Sequence, residues 1–247
     1  MTKIIGISGR KQAGKNTVAN YINGQVLKSK GMINEFYIDN DGRLAVNTQD
    51  ITGTSGYGIL DLIRKDSVFV DYAERELWPY IKIYHFADYL KEMCVNLFNL
   101  NPTNIYGSDD QKNEITHIKW EDVPCNPNKS GYMTYREFME HFGTKIIRRI
   151  YNDAWVDSTI SKILLEGSQI SIVPDVRFPN EVQKIKDSGG IVIRLTRDIF
   201  GSDTESESAL DPSKFDWKNF DYVVDNKDTT IKNMCDILDK LSFLWSL

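Results

Sequence analysis

Cysteine is scarce in this chain: Cys94, Cys125 and Cys235 are far apart and form no CxxC pair. That spacing supplies neither a zinc site built on paired thiolates nor a disulfide framework, so reduced thiols in a cytoplasmic protein are expected. Histidine is equally rare. His85, His117 and His141 lack metal-ligand spacing and read as structural or surface residues. No apolar run is long enough to cross a bilayer and no signal peptide is visible, so membrane spanning and secretion are not expected. Positive charge is in deficit as well: 30 Lys and Arg against 35 Asp and Glu leave a net charge of −5. This argues against a chain dedicated to nucleic-acid backbones while permitting a small pocket of arginines. No internal repeat divides the sequence. What remains is 247 residues, 41% hydrophobic and 26% charged, enough for one large α/β domain over 1–247 or one domain carrying an elaborate insertion.

The most informative stretch lies near the start. Ile4-Ile5-Gly6-Ile7-Ser8 is an apolar run suited to a buried strand. Gly9 and Gly14 then bracket four residues ahead of Lys15, and Val18, Ala19, Tyr21 and Ile22 follow at helical spacing. Strand, GxxxxGK and helix in that order make a P-loop. Its glycines let the backbone curl so that successive N–H groups face one anion, and the helix N-terminus adds partial positive charge. Lys15 reaches the outer phosphates of a nucleotide as a point charge. The Ser or Thr that usually follows the lysine is Asn16 here, and the hydroxyl arrives one place later at Thr17. Which of the two contacts Mg²⁺ stays open.

The rest of the chain alternates strands and helices. Phe36-Tyr37-Ile38 and Leu44-Ala45-Val46, joined through Asp41-Gly42, read as a hairpin. Gly53 to Gly58 reads as a loop and Tyr72 to Tyr80 as helical, so residues from about 30 to 80 are expected to form an insertion, covering the active site or making an oligomer contact. Ile81 to Phe86 is the second core strand, and a helix begins at Ala87-Asp88. Residues from about 101 to 131, with Pro102, Pro124 and Pro127, read as a long irregular loop. Thr134, with Glu137 in the capping-box position, opens a helix to Tyr151, and another covers Trp155 to Leu165. Ile170 to Val173, Ile191 to Leu195 and Tyr222 to Val224 are further strands, with helices after Asn180 and around Ile231 to Leu241. Gly201 to Asp211, rich in serine and acid, reads as mobile or a lid. These elements predict an α/β protein with a P-loop NTPase three-layer fold: a central, mostly five-stranded parallel sheet covered on both faces, with a hairpin-containing insertion.

Ligands of open α/β sheets sit at the carboxyl ends of the strands. Asp88, Asp175, Arg177, Arg194 and Arg197 fall at such ends and, with Lys15, predict a rim of mixed charge where phosphates and a metal meet. Taken alone, Asp175 and Arg177 would be a local surface ion pair, and Arg148 and Arg149 a solvated helix face. Asn226-Lys227-Asp228 approaches a GTPase base-reading motif, but the acid it needs next is Thr229.

Four segments together resemble the phage-type deoxynucleoside monophosphate kinases: Gly14-Lys15-Asn16-Thr17; Phe86-Ala87-Asp88-Tyr89-Leu90-Lys91; Gly143-Thr144 through Arg148 followed by Trp155; and Asp175-Val176-Arg177-Phe178-Pro179-Asn180-Glu181. The last is the most specific. Tyr106-Gly107-Ser108-Asp109 and Asn226 keep the spacing across nearly the whole chain. The resemblance implies transfer of the ATP γ-phosphate to a deoxynucleoside monophosphate (dNMP), with Mg²⁺, in the cytoplasm of an infected bacterium, and small-molecule partners only, a homodimer being left open. It implies that Gly9, Gly14, Lys15, Asn16 and Thr17 hold the ATP phosphates, with Arg197 closing over the donor and Asn226 touching adenine. Asp88 and Lys91 would line the acceptor site, Arg148 and Arg177 would grip the acceptor phosphate, and Asp175, with Thr17, would stand near the metal. Tyr89 departs from the proline, and Glu205 from the histidine, that relatives often carry, and the acidic loop is assigned no role. A P-loop kinase for another small acceptor, such as dephospho-coenzyme A, and a nucleotide-binding module without turnover are the rival readings.

Overall fold

A computed structural model describes residues 2–49, 53–199, 201 and 204–246. The chain divides into two compact units, one running up to His85 and resuming at Ile160, the other formed by Phe86–Thr159. Strands β1 (Lys3–Ser8), β2 (Phe36–Ile38), β3 (Leu44–Gln49), β4 (Ser55–Ile59) and β5 (Ile81–Ile83) precede the second unit. Strands β6 (Ile115–Lys119) and β7 (Tyr132–Thr134) lie within it, and β8 (Ile170–Val176), β9 (Ile191–Leu195) and β10 (Tyr222–Val224) follow.

In the first unit β10, β9, β1, β8 and β5 form, in that order, an all-parallel sheet. Alternate residues of the central strand serve opposite faces. Ile5 and Ile7 share a core with Ile170, Ile172, Ile193 and Leu195, with Val18, Ile22 and Val26 of helix Lys15–Ser29, and with Met234 and Leu238 of helix Ile231–Asp239. Gly6 faces the other way. A methyl there would stand 2.7 Å from Ile185 Cδ1, so glycine lets helix Pro179–Asp187 press directly on the sheet. Helices thus cover both faces, the three-layer α/β arrangement of a P-loop NTPase, and a strand buried on both sides explains why β1 reads as continuous apolar sequence.

β8 is longer than the expected Ile170–Val173, because Pro174 and Asp175 stay within it. Its pairing slips beside β1: Gly6 opposes Val173 but Ser8 opposes Val176, so three steps on β8 match two on β1. Such a bulge re-aims side chains at the strand end. The second core strand is shorter than expected and stops at Ile83, although the Tyr84 N–H still donates to Ile172 O at 2.8 Å. β2, β3 and β4 form a separate antiparallel sheet, with Phe36 opposite Val46 and Gln49 opposite Ser55. The hairpin is as expected, but residues 53–58, expected as a loop, contribute β4. All five of its residues are exposed, so backbone pairing holds it and no buried face marks it in the sequence. The next helix is Ser67–Glu76, earlier than expected, because Asp66 caps it by accepting from the Phe69 N–H at 3.1 Å.

The second unit has its own core of Cys94, Leu100, Ile105, Trp120, Met133, Phe138 and Phe142. The expected irregular stretch 101–131 carries helices Pro102–Tyr106 and Asp109–Lys112 and strand β6. Each helix has a local start: Asn101 accepts from the Thr103 N–H, and Ser108 and Gln111 form a capping box. Thr134 and Glu137 form the expected capping box at Tyr135–Glu140. The helix then widens into a π-helical turn over His141–Ile147 and continues as Arg148–Ile150. A helix over Ala154–Glu166 follows. Among the described residues no helix is long and apolar enough to cross a membrane.

Candidate active site

The P-loop connects β1 to helix Lys15–Ser29. Gly14, at the helix start, has φ 94°, a left-handed conformation that glycine adopts without a Cβ penalty. A methyl on Gly9 would lie 2.9 Å from Ala13 Cβ, so the loop can close on itself only with glycine there. The Lys15 ammonium donates to Gly9 O and Arg10 O, both at 2.7 Å, and so lies curled over its own loop. Burial, above all, pulls its pKa down to about 8. The Arg177 guanidinium acts in the same direction, as does Arg194 more weakly, while Glu207 and Asp175 oppose the shift. Lys15, Asp175, Arg177 and Arg194, from the segments that follow or end β1, β8 and β9, therefore act on one another electrostatically.

Asn226 braces the loop from behind. Fully buried, it donates from Nδ2 to Ala13 O at 2.8 Å and accepts at Oδ1 from the Arg197 N–H at 2.9 Å. Arg197 in turn donates to the carbonyls of Asn226 and Thr229. The segments after β9 and β10 are thereby tied to each other and to the loop between β1 and the first helix.

The acidic segment assigned no role from the sequence supplies the most direct contact at the site. Ser202 and Asp203 lie outside the described residues, but Glu205–Ser208 is a short helical turn. The Glu207 carboxylate accepts from the Lys11 N–H at 2.6 Å and pairs through its other oxygen with Arg177. Its side chain is only 9% exposed. Asp211 receives Arg10 through two nitrogens, and Arg10 also pairs with Asp198 at 3.1 Å. Behind them Arg194 is buried, donating to Ser8 Oγ at 2.9 Å, with its guanidinium 5.1 Å from the Trp217 ring and 3.8 Å from Asp211. Its Nε has no hydrogen-bond partner among the described residues. Burial lowers its pKa, an effect Asp211 opposes. Arg10, Glu207 and Asp211 are the residues that motif reading missed. An acid-rich stretch in a chain whose P-loop carries Arg10 and Lys11 was the available signal.

The remaining expected residues are more dispersed. Asn16 is exposed. The Thr17 hydroxyl abuts the hairpin turn, since a methyl on Gly42 would lie 2.3 Å from Oγ1. Asn20 donates to Gly42 O at 2.8 Å, so the β2–β3 turn rests on the first helix. Asp88, Lys91 and Arg148 belong to the second unit. Asp88 begins helix Asp88–Phe98, the Lys91 ammonium lies 5.4 Å from the Tyr106 ring centre, and Arg148, after the π-helical turn, donates to Asn152 O at 3.3 Å.

A loop whose amide and an arginine from the neighbouring strand grasp opposite oxygens of one carboxylate is equipped to hold phosphate. The comparisons with known proteins say which reaction class this serves. A family model described as deoxynucleotide monophosphate kinase matches residues 3–236. A protein of Acanthamoeba polyphaga mimivirus named "Putative deoxynucleotide monophosphate kinase" is 29% identical over 151 residues, covering 58% of this chain and 74% of its own length. With the family matched from the first strand to the last helix, the chain belongs to the deoxynucleotide monophosphate kinase family and is a phosphotransferase.

Proposed function

We propose that the chain transfers the γ-phosphoryl group of ATP to a dNMP, giving ADP and the diphosphate, in nucleotide supply for phage DNA synthesis in the bacterial cytoplasm. The family supports the acceptor class, and the P-loop supports a nucleoside triphosphate donor. The phage setting rests on the motif resemblance. The observation that carries the reading is the Glu207 carboxylate, held at once by the Lys11 N–H and by Arg177. Loop and arginine face a common anion.

In this reading an acceptor phosphate oxygen, already anionic, attacks the γ-phosphorus without a dedicated base, and the protein contributes positioning and charge. Lys15 and the loop amides from Gly9 to Asn16 hold the donor. Arg177 draws the charge developing between the two nucleotides, and the motif resemblance adds Arg148, Asp88 and Lys91 as the candidates for binding the acceptor. Asn226 and Arg197 act beneath the loop, holding its shape, since their polar groups bond to the chain itself. Among the described residues no cluster of three or more His, Cys, Asp or Glu forms a metal cage. One carboxylate beside phosphate oxygens is the usual donor set for Mg²⁺, and Asp175, in the field of Lys15, fits it better than the Thr17 hydroxyl against Gly42. When bound, the ion neutralises phosphate charge.

Coupled assays of ADP release across each dNMP and dephospho-coenzyme A test the assignment. Release with at least one dNMP and none with dephospho-coenzyme A is expected. Release with dephospho-coenzyme A alone would overturn it.

A further inference from the structure

We propose that Glu207 occupies the seat of a substrate phosphate in the unliganded protein, so that nucleotide phosphates bind by displacing its carboxylate. The inference rests on the phosphate-site reading above and adds a built-in competitor to it. A backbone N–H of the P-loop and a strand-end guanidinium are groups expected to meet phosphate oxygens, and both are engaged by the two oxygens of one side chain.

Charge balance explains why the carboxylate settles there. Arg177 and Arg194 both act against the charge of Lys15, and Glu207, paired with Arg177, offsets them. Once a phosphate arrives, the compensation becomes repulsion, because two anions cannot share the same N–H and guanidinium. The rest of the segment is positioned to stay while Glu207 leaves. Asp211 is held by Arg10, Leu210 is buried, and Leu210 O accepts from Trp217 Nε1 at 2.8 Å. Glu207 sits one helical turn before these anchors, on the four-residue stretch Glu205–Ser208. Releasing it frees the Lys11 N–H and Arg177 together, so ligand entry and unpairing of the arginine become one event.

A ligand that must displace a resident group binds more weakly by the fraction of time the seat is open. Removing the charge while keeping the shape, Glu207→Gln, should therefore tighten tripolyphosphate or dNMP binding about tenfold. Calorimetric titrations with each probe alone separate the donor seat from the acceptor seat, and a gain with either supports the proposal. Glu205→Gln, which removes the same charge from an exposed position two residues earlier, should leave affinity unchanged. Lys15→Ala should abolish tripolyphosphate binding. If Lys15→Ala does so but Glu207→Gln binds both probes no tighter than the parent, the competitor proposal fails while the phosphate site stands. If Lys15→Ala has no effect, or no variant binds either probe, both fail. Equal tightening by Glu205→Gln would reduce the effect to net charge and overturn the proposal. Should Glu207→Gln not fold, judged by its thermal transition, Glu207→Ala replaces it under the same criteria.

Discussion

Lys15, the cation proposed to meet phosphate, is also a cation with little water around it. Its pKa near 8 in the free protein, against 10.5 for an ordinary lysine, follows first from burial and then from Arg177. Bound phosphate favours the charged form, so above pH 8 binding should take up a proton and weaken by up to about tenfold per pH unit, whereas below pH 8 Lys15 adds no pH dependence. Titrations near pH 8.5 in buffers of different ionisation heat read that proton directly. Uptake in the parent and its loss in Lys15→Met are expected, and no uptake in the parent would remove Lys15 from the phosphate site. The linkage to stability has the opposite sense. Between pH 8 and 10.5 the unfolded chain holds a proton that the folded chain has lost, so this group's contribution to stability rises with pH over that window.

At the scale of elements, the site depends on close approaches that small residues permit. Gly24, within helix Lys15–Ser29, faces the hairpin: a methyl there would stand 2.5 Å from Phe36 Cδ2 and Cε2, and Phe36 packs edge-on against Tyr21 at 5.7 Å. Alanine would gain about 1 kcal/mol of helix preference, but overpacking costs about 1–3 kcal/mol. Gly24→Ala should therefore lower stability by about 1 kcal/mol and Tm by about 2–4 °C. A raised Tm would mean that the hairpin does not rest on this helix. The same dependence on distant partners explains what the sequence made legible. The P-loop, β9, β10 and the Thr134 cap could be read because glycine placement, apolar runs and capping residues are local signals. β4 could not, since it buries no face and exists only through pairing with β3. The short helices within 101–131 were obscured because Asn101 and Ser108, which cap them once folded, and Pro102, which opens the first of them, read as loop residues. Glu207 was hidden most completely, because an acid among serines reads as solvated loop and the amide it caps lies 196 residues away.

For the whole molecule, a net charge of −5 conceals a local arrangement of opposite purpose. Lys15, Arg177, Arg10 and Arg194 gather at the strand ends of one unit, balanced in the free protein by Glu207, Asp211, Asp198 and Asp175. A balance of that kind leaves the empty site without a large excess of positive charge. The family assigns the chemistry, and the P-loop facing Arg177 gives it a physical basis. The most direct measurement is single-turnover transfer of labelled γ-phosphate from ATP to a dNMP by the purified chain, Lys15→Ala and Arg177→Ala, each shown to be folded. Label should appear in the deoxynucleoside diphosphate with the parent and slow by about 10²–10³ in each variant, by analogy with the loss of one charge-stabilising donor. Transfer at the parental rate in either folded variant would contradict the account.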